Sequence, residues 1–417
     1  MERKLFKYLF LLFAIFSGCT GFEDDDLFGE PASKRLEQNR LDVLNELESS
    51  SEGWLLQYYP HPDQIYGGIN YFLKFKEGKV VATIEGTQGE VESSYQIISR
   101  GGSVITFNQY NELLHKYAVP SGAKPEGDQG DFEFLVLSYE NGVYNLKGLR
   151  TGNYCRLLKI NENVQSLESK IDQVKATSLD GLIFNEETNL KGEISKSTKQ
   201  ISFDTENGVL SQRFIYTENG IRLYDPITIN GNVYQEFVWN AKDKLYRPIG
   251  ETNAGFRVIQ APIDFSKRWS LVIDPQKDNA CQEIKDLQNK IQADILTQYP
   301  GVFLYYQYDF GTLTGKMYGM RFDVIDANTF TVYGATYNAT FKGVIGDENA
   351  LEFVPNFYYT ESQGSYWEYF PSLNEILNKF ASNSPYTVTK IDEEQRKLVS
   401  KENPEFWFVL GPPPVED

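Results

Sequence analysis

The fold class is decided by residues 71–85, which read YFLKFKEGKVVATIE. Two runs rich in aromatic and β-branched residues flank the dipeptide Glu77-Gly78. Such runs are typical of β-strands, and a two-residue connection that contains glycine is typical of a tight hairpin. The stretch therefore predicts two antiparallel strands joined by a turn at Glu77-Gly78.

The same pattern extends in both directions from this hairpin. It begins at Gly53-Trp54 and continues to Ile160, with Asn141-Gly142 as the strongest turn signal in the chain. The other strands predicted in this region are 54–59, 94–99, 104–108, 132–139, 143–149 and 154–160. Strands that follow one another through short turns indicate an antiparallel meander.

Short amphipathic helices are predicted before each meander. Apolar residues recur on one helical face in three segments: Leu36, Val43, Leu44 and Leu47; Leu167, Ile171 and Val174; and Ile284, Leu287, Ile291 and Ile295. Ser33 is expected to cap the first helix, and a final helix is predicted from Ser372. After the second helix, further strands are predicted at 200–203, 210–216, 220–224, 234–239 and 245–249.

A third unit is indicated by repetition. Residues 301–306 and 318–322 match residues 53–58 and 71–75 in type and order, each following a predicted helix. We therefore predict a mainly β (α+β) fold of antiparallel meander units that form lipocalin-like or partly open barrels, each preceded by a short helix. The expected domains are a signal peptide at 1–18, an acidic tether at 19–33, an N-terminal β region at 34–262 with units 34–160 and 163–262, and a C-terminal β unit with helices at 278–411.

The first eighteen residues have the form of a secretion signal. Arg3, Lys4 and Lys7 form a basic region, and the apolar run that follows is too short to span a bilayer. Ser17 and Gly18 before Cys19 resemble the lipobox of bacterial lipoproteins, in which the cysteine is acylated. We expect the mature chain to begin at Cys19 and to be held on a membrane by its acyl chains.

The residues after Cys19 bear on location. Residues 23–26 read EDDD, which resembles the surface-export signal of Bacteroidota lipoproteins. A solvated acidic linker is the alternative explanation. We expect a lipid-anchored protein of the outer membrane that faces the cell exterior.

The net charge of the chain bears on the class of partner that it can bind. The chain has a formal charge of -18, and residues 1–18 carry +2 of it, so the mature chain carries -20. Nucleic acid is therefore not an expected partner, because phosphate contacts need clustered lysine and arginine.

Only Cys155 and Cys281 remain after Cys19. A disulfide framework is excluded, although a single bridge between the two stays open.

Catalytic motifs are missing from the sequence. His61 and His115 are the only histidines, and neither a zinc motif nor a Gly-x-Ser-x-Gly elbow is present. We predict no catalytic residues, no metal site and no cofactor. We interpret His115 as a strand or loop residue with satisfied hydrogen bonds rather than as a general base. Residues 204–208 (DTENG) have the composition of a calcium loop but lack its distal glutamate, which favours a plain hairpin turn.

An aromatic segment is the candidate ligand site. Tyr358 and Tyr359 precede a small, polar stretch that ends at Tyr366 and Trp367. Rings with hydrogen-bonding groups on such a loop can stack on sugar faces or hold an extended peptide. Core capping is the alternative role.

Several segments together carry a family resemblance. They are Gly53-Trp54-Leu55-Leu56, Tyr58-Tyr59-Pro60, Gly67-Gly68-Ile69-Asn70-Tyr71, Glu92-Ser93-Ser94-Tyr95, Thr106-Phe107-Asn108 and Leu114-His115. In these segments the chain resembles the Bacteroidota surface lipoproteins grouped as domain of unknown function family 4302. The resemblance implies an accessory surface lipoprotein of the kind commonly encoded beside Sus-type outer-membrane uptake systems. It implies no activity.

These observations favour a non-catalytic accessory or binding component of a Sus-type nutrient-uptake system. Its expected partners are the membrane, an outer-membrane transporter complex and a glycan or peptide ligand. Two alternatives stay open. A carboxylate-dependent glycosidase would require two facing acidic side chains, and a lipocalin-like carrier of an apolar small molecule would require an unfilled barrel.

Overall fold

The computed structural model describes residues 30–412, apart from residues 186, 230, 251–254, 265–268, 274–276, 299–306, 311–316, 327–328 and 357–370. The chain divides into two compact units, one ending at Ser169 and the other beginning at Lys170. The helices of the described residues are α1 (Ala32–Ser49), α2 (Val164–Thr177), α3 (Gln282–Gln298) and α4 (Pro371–Ser382). None of these helices combines the length and apolar composition needed to span a bilayer.

The N-terminal unit contains a nine-stranded antiparallel sheet. Its strands are β1 (Trp54–Tyr58), β2 (Ile69–Lys76), β3 (Lys79–Ile84), β4 (Val91–Ser94), β5 (Gln96–Ser99), β6 (Ser103–Thr106), β7 (Glu133–Glu140), β8 (Val143–Gly148) and β9 (Tyr154–Lys159). Their order in the sheet is β4-β3-β2-β1-β9-β8-β7-β6-β5. Both predicted turns are present, since Lys76 pairs with Lys79 and Glu140 pairs with Val143.

The two edges of this sheet meet at one residue. β4 pairs with β3 at one edge and β5 pairs with β6 at the other, yet only Tyr95 separates β4 from β5. Residues 91–99 therefore form one kinked segment that serves both edges. Tyr95 is buried, and its hydroxyl donates to Glu48 at 2.8 Å. This arrangement leaves little open edge on the sheet.

Helix α1 covers one end of the N-terminal sheet. Val43 and Leu47 are buried in the same core as Trp54, whose indole N–H donates to the Leu47 carbonyl at 2.9 Å. Glu48 accepts from the Gly78 amide at 3.0 Å. The expected cap is wrong: the helix already includes Ser33, and Pro31 occupies the cap position without a side-chain hydrogen bond.

Gly53 makes the connection from α1 to β1 possible. Its φ is +94°, and a Cβ atom at this position would lie 2.5 Å from the Leu73 carbonyl oxygen. Only glycine fits both the backbone conformation and the close approach of β2. Ser50 fixes the turn, because its hydroxyl bonds to both the amide and the carbonyl of Gly53.

A closed eight-stranded barrel begins the second unit. Its strands are β10 (Gly181–Asn185), β11 (Leu190–Ser195), β12 (Gln200–Thr205), β13 (Gly208–Tyr216), β14 (Gly220–Ile229), β15 (Asn232–Asn240), β16 (Leu245–Pro248) and β17 (Phe256–Ile259). The 204–208 segment is a two-residue hairpin in which Thr205 pairs with Gly208, which confirms the plain turn.

The last sheet also has eight strands in sequence order. They are β18 (Trp269–Val272), β19 (Gln307–Phe310), β20 (Met317–Asp326), β21 (Thr329–Val344), β22 (Asp347–Asn356), β23 (Tyr386–Lys390), β24 (Arg396–Ser400) and β25 (Trp407–Leu410). An antiparallel bridge between Ser270 and Gly411 joins the first strand to the end of the last. Helices α3 and α4 pack on this sheet through Ile284, Ile291 and Phe380.

The mainly β fold predicted from the sequence is confirmed. All three sheets are antiparallel; one forms a closed barrel, and a bridge joins the edges of the last sheet. A helix precedes the N-terminal sheet, and another precedes the closed barrel. In the last sheet, however, β18 comes before helix α3 and before residue 278. That strand carries the bridge that closes the sheet.

Candidate functional site

The predicted site residues lie outside the described part of the chain. Cys19 belongs to residues 1–29, and Tyr358, Tyr359, Tyr366 and Trp367 belong to residues 357–370. Acylation of Cys19 and ligand binding by the four aromatic residues stay predictions.

Part of the sequence that carries the family resemblance lies at one end of the N-terminal sheet, at Tyr58-Tyr59-Pro60, Gly67-Gly68 and Leu114-His115. The connections 59–68, 107–132 and 149–153 meet there, at the end opposite helix α1, and we call this region the loop end. Tyr71 of β2 is bonded to the longest of these connections, because its hydroxyl donates to the Leu113 carbonyl at 3.2 Å. The loop end is the candidate functional site.

Asp131 ties two of these connections together. It is 3% exposed, and one carboxylate oxygen accepts from the amides of Arg150 at 2.6 Å and Thr151 at 3.1 Å. The other oxygen accepts from the Thr151 hydroxyl at 2.5 Å. The Asp131 amide in turn donates to the Tyr58 hydroxyl at 2.6 Å. Both oxygens of this buried carboxylate are therefore engaged by protein donors.

Asn153 performs a similar role for the 59–68 connection. Its amide nitrogen donates to the carbonyls of Tyr59 at 2.9 Å and His61 at 2.7 Å, and its oxygen accepts from Gln64 at 2.7 Å. His61 has a φ of 71° and accepts the Asp63 amide on Nδ1 at 3.1 Å. His61 is thus part of the turn itself.

Asn111 fixes the start of the long 107–132 connection. It is 1% exposed, and its oxygen accepts from the amides of Leu113 at 3.0 Å and Leu114 at 3.2 Å. Its amide nitrogen donates to the Val91 carbonyl and the Ser93 hydroxyl, both at 3.1 Å. The side chain therefore binds its own turn to the β4 segment.

His115 lies between two other rings. Its ring centroid is 5.6 Å from that of Tyr110 and 5.1 Å from that of Phe132, which stacks at 26°. The Asn111 amide lies 3.2 Å from its Nδ1. Burial lowers the pKa of His115 below its ordinary value, so the neutral ring is favoured. We call Tyr110, His115 and Phe132 the aromatic stack; His115 is buried and belongs to the 107–132 connection.

A second aromatic group belongs to the loop end. The Tyr66 hydroxyl donates to Asp128 at 2.6 Å, and the Tyr66 ring lies 5.1 Å from that of Tyr117. The hydrogen bonds from Lys124 and then from Tyr66 hold the pKa of Asp128 below its usual range. Burial raises the pKa of Tyr117 to about 12. These groups hold fixed protonation states near neutral pH and bind the 124–128 turn to the 59–68 connection.

The polar side chains described at the loop end bond mainly to one another and to backbone groups. Its buried acid and its amides already bond to protein groups, so no proton-transfer pair is assembled from Asp131 or His115. Within the described residues, no group of three histidine, cysteine or acidic side chains could hold a metal ion.

The interior of the closed barrel is filled with its own aromatic side chains. Phe256 contacts Phe203, Phe237 and Tyr246, with ring centroids between 5.2 and 6.0 Å apart. Trp239 packs on Tyr246 at 4.6 Å. Among the described residues, these rings occupy the inside of the barrel, where a carrier would hold its ligand.

A small cavity lies in the C-terminal sheet. It holds about 10 Å³, the room of a single water molecule. Its walls are Phe341, Leu351, Phe353, Phe380, Tyr386, Leu398, Phe408 and Leu410. A space of this size cannot hold a lipid-like ligand.

The two cysteines of the folded body are free thiols. Cys155 and Cys281 are both buried, and no disulfide joins them. Burial raises the pKa of Cys155 to about 12, which keeps it protonated and unreactive at neutral pH.

Sequence reasoning missed most of the loop end. Asp131 and Asn153 stand in stretches without regular periodicity, and the partners that their side chains bind in the other connections lie 19 to 94 residues away. One local signal was present in the sequence. An asparagine often accepts hydrogen bonds from the amides two and three residues later in a turn, and Asn111 stands at that spacing before Leu113 and Leu114.

Comparison with known proteins gives a family. A model described as domain of unknown function (DUF4302) matches residues 24–241, more than half of the chain. This range includes the whole loop end. No curated protein matches the chain.

The chain is also weakly similar to solved structures of beta clamps. A Helicobacter pylori beta clamp in complex with 5-chloroisatin has a TM-score of 0.11 at 8% identity, with 90% of this chain and 97% of that chain covered. The DNA polymerase III beta chain of Streptococcus pneumoniae TIGR4 has a TM-score of 0.11 at 11% identity, with the same coverage. TM-scores of this size carry no argument about fold or function. The family match stands by itself, and the chain belongs to the DUF4302 family.

Proposed function

We propose that the protein is a non-catalytic lipoprotein of the outer membrane, anchored through acylated Cys19 and facing the cell exterior. In this proposal it acts as an accessory or binding component of a Sus-type nutrient-uptake complex. The observation that carries the proposal is the sequence around Cys19, where a basic region, an apolar run and Ser17-Gly18 come before the cysteine and residues 23–26 (EDDD) come after it.

The loop end supports a binding role over a catalytic one. Its buried carboxylate at Asp131 and its amides at Asn111 and Asn153 are used to fix the connections between strands. A surface fixed in this way is suited to recognition, because little side-chain freedom is lost when a partner binds. The filled barrel interior does not favour the carrier alternative.

Anchoring is tested by labelling cells with radioactive palmitate. Label should enter the wild-type chain and should not enter the Cys19→Ala variant, which should leave the membrane fraction. A Cys19→Ala variant that stays in the envelope as firmly as the wild type would overturn the anchor.

Location and partnership need separate measurements. Protease added to intact cells should cut the protein, and gentle detergent should release it together with a porin-like transporter and its lidding lipoprotein. Protection from protease until lysis would contradict the outward orientation. Recovery of the chain without any transporter would contradict the accessory role.

A further inference from the structure

We propose that the aromatic stack is a platform for a neutral sugar ring, with Tyr110 as the contact residue. This inference rests on the proposed function, because it names the ligand class of the loop end.

The exposure of Tyr110 sets it apart from a core residue. Tyr110 is 66% exposed and Phe132 is 36% exposed, whereas His115 beneath them is 9% exposed. A flat ring held at the surface offers its face to a ligand. The C–H face of a pyranose ring is apolar and flat enough to pack on such a ring.

The stack is rigid. The ring of His115 supports Tyr110 from one side at 5.6 Å, and Nδ1 of His115 is fixed by the Asn111 amide at 3.2 Å. Asn111 itself is bonded to four protein groups. A platform that is already ordered loses little conformational entropy on binding.

Two amide side chains lie next to Tyr110 in the chain. The oxygen of Asn108 accepts from the Ser94 hydroxyl at 3.3 Å, and the oxygen of Gln109 accepts from the Ser94 amide at 2.9 Å. Because the oxygen atom of each side-chain amide is held by Ser94, the orientation of both amides is fixed. Both residues are exposed. Their NH₂ groups are hydrogen-bond donors suited to sugar hydroxyls.

Charge and edge geometry favour a neutral sugar over a peptide or a nucleic acid. Residues 107–111 (FNQYN) carry no charge in a chain of net charge -18, so this segment offers no cation to a phosphate. An extended peptide is commonly held by adding a strand to a sheet edge. In the N-terminal sheet, the two edge strands are joined through Tyr95.

The chain supplies a matched control for Tyr110. Tyr154 is also a surface tyrosine of the N-terminal unit, 59% exposed, but the Lys147 ammonium lies 5.7 Å from its ring centroid. If the loss of any exposed tyrosine weakened ligand binding, substitutions at Tyr110 and at Tyr154 would both do so. An effect of the stack would appear only at Tyr110.

The experiment is native electrophoresis of the full lipoprotein in mild detergent, through gels containing starch, laminarin, xylan or galactomannan. We expect at least one neutral polysaccharide to retard the wild type. Tyr110→Ala should weaken that binding about tenfold or more. Tyr110→Phe, which keeps the ring, should retain most of it, and Tyr154→Ala should bind as the wild type does.

Three results of this electrophoresis would overturn the platform: no polysaccharide retards the wild type, Tyr110→Ala binds unchanged, or Tyr110→Ala and Tyr154→Ala lose binding equally. Binding of a lysine-containing peptide to Tyr110 in place of a sugar would also overturn it. Failure here is distinguishable from failure of the proposed function, since palmitate labelling and protease shaving do not depend on Tyr110.

Discussion

Ser270 and Gly411 exchange two backbone hydrogen bonds, of 2.8 Å from the Ser270 amide and 2.9 Å from the Gly411 amide. These two bonds join strand β18 to the residue after β25, and so connect the first and last strands of the C-terminal sheet. The stability of this sheet should therefore depend on the Gly411 amide.

Replacing Gly411 by proline removes that amide. We expect Gly411→Pro to lower the free energy of unfolding by about 1–2 kcal/mol, because the Ser270 carbonyl loses its donor. Gly411→Ala is the matched control, since a Cβ atom here meets only a Gln395 side-chain carbon at 4.0 Å. Urea unfolding of both variants checks the prediction, and equal stability of the two would contradict it.

Gly148 makes room for the buried carboxylate of Asp131. A Cβ atom at Gly148 would lie 2.2 Å from an Asp131 carboxylate oxygen, so Gly148→Ala should destabilise the N-terminal unit by about 1–3 kcal/mol. The cost should shrink in an Asp131→Ala background, where the collision is gone. Gly122→Ala, at a site with open space around it, should be neutral.

This Gly148 prediction is checked by thermal unfolding of the four combinations of the two substitutions. Strictly additive effects would show that the close approach of Gly148 to Asp131 does not govern stability.

His115 gives the fold a dependence on mildly acidic pH. Its pKa is lowered by burial, so the unfolded chain takes up the proton before the folded chain does. The contribution of the neutral ring to the stability of the fold is complete above the ordinary pKa of about 6.5, and it is lost as the pH falls below that value. His115→Gln should remove this part of the pH dependence.

The comparison for His115 is made by urea unfolding at about pH 7.5 and about pH 5.5. Carboxylates such as Glu46, whose pKa is lowered mainly by its hydrogen bond to Lys159, affect stability only at lower pH. If the free energy of unfolding changes by the same amount between the two pH values in the wild type and in His115→Gln, His115 is not the source of this pH dependence.

Buried tyrosines should resist ionisation until the protein unfolds. Burial raises the pKa of Tyr71, Tyr95, Tyr246 and Tyr386. Groups with a raised pKa stabilise the fold below the ordinary value of about 10, and this contribution is lost as the pH rises above it. The last part of the tyrosinate absorbance, which comes from these buried residues, should therefore appear only together with the loss of circular dichroism. Full tyrosinate absorbance with the circular dichroism intact would contradict this.

The strands that the sequence predicts well are those bounded by glycine turns. Residues 143–149 were predicted as a strand and form β8 (Val143–Gly148), because Asn141-Gly142 fixes where the strand begins. The helix predicted from Leu167, Ile171 and Val174 is also present, and these three residues are buried on one face, as the helical periodicity predicts.

Short strands that close the barrel were not predicted. β11 (Leu190–Ser195) contains Gly192, whose missing side chain lets the Ser202 carbonyl approach to 1.9 Å from where a Cβ would lie. Glycine weakens the strand pattern at the place where close strand approach demands it. The pairing of β10 with β17 joins residues more than 70 positions apart, which no local pattern records.

The loop end could not be derived for a related reason. Tyr58 and Asp131 are 73 residues apart, and Asn153 reaches back 94 residues to Tyr59. Hydrophobic periodicity reports which face of an element is buried, but it does not report which polar side chains meet across loops.

The single kinked segment from Val91 to Ser99 has a dynamic consequence. Detachment of β4 from β3 would pull on β5 through Tyr95, so neither rim of the N-terminal sheet can fray by itself. Amide protons of Val81 and Ile105, on the two neighbouring strands, should then exchange with solvent in a single concerted opening, and Tyr95 would act as the latch for both.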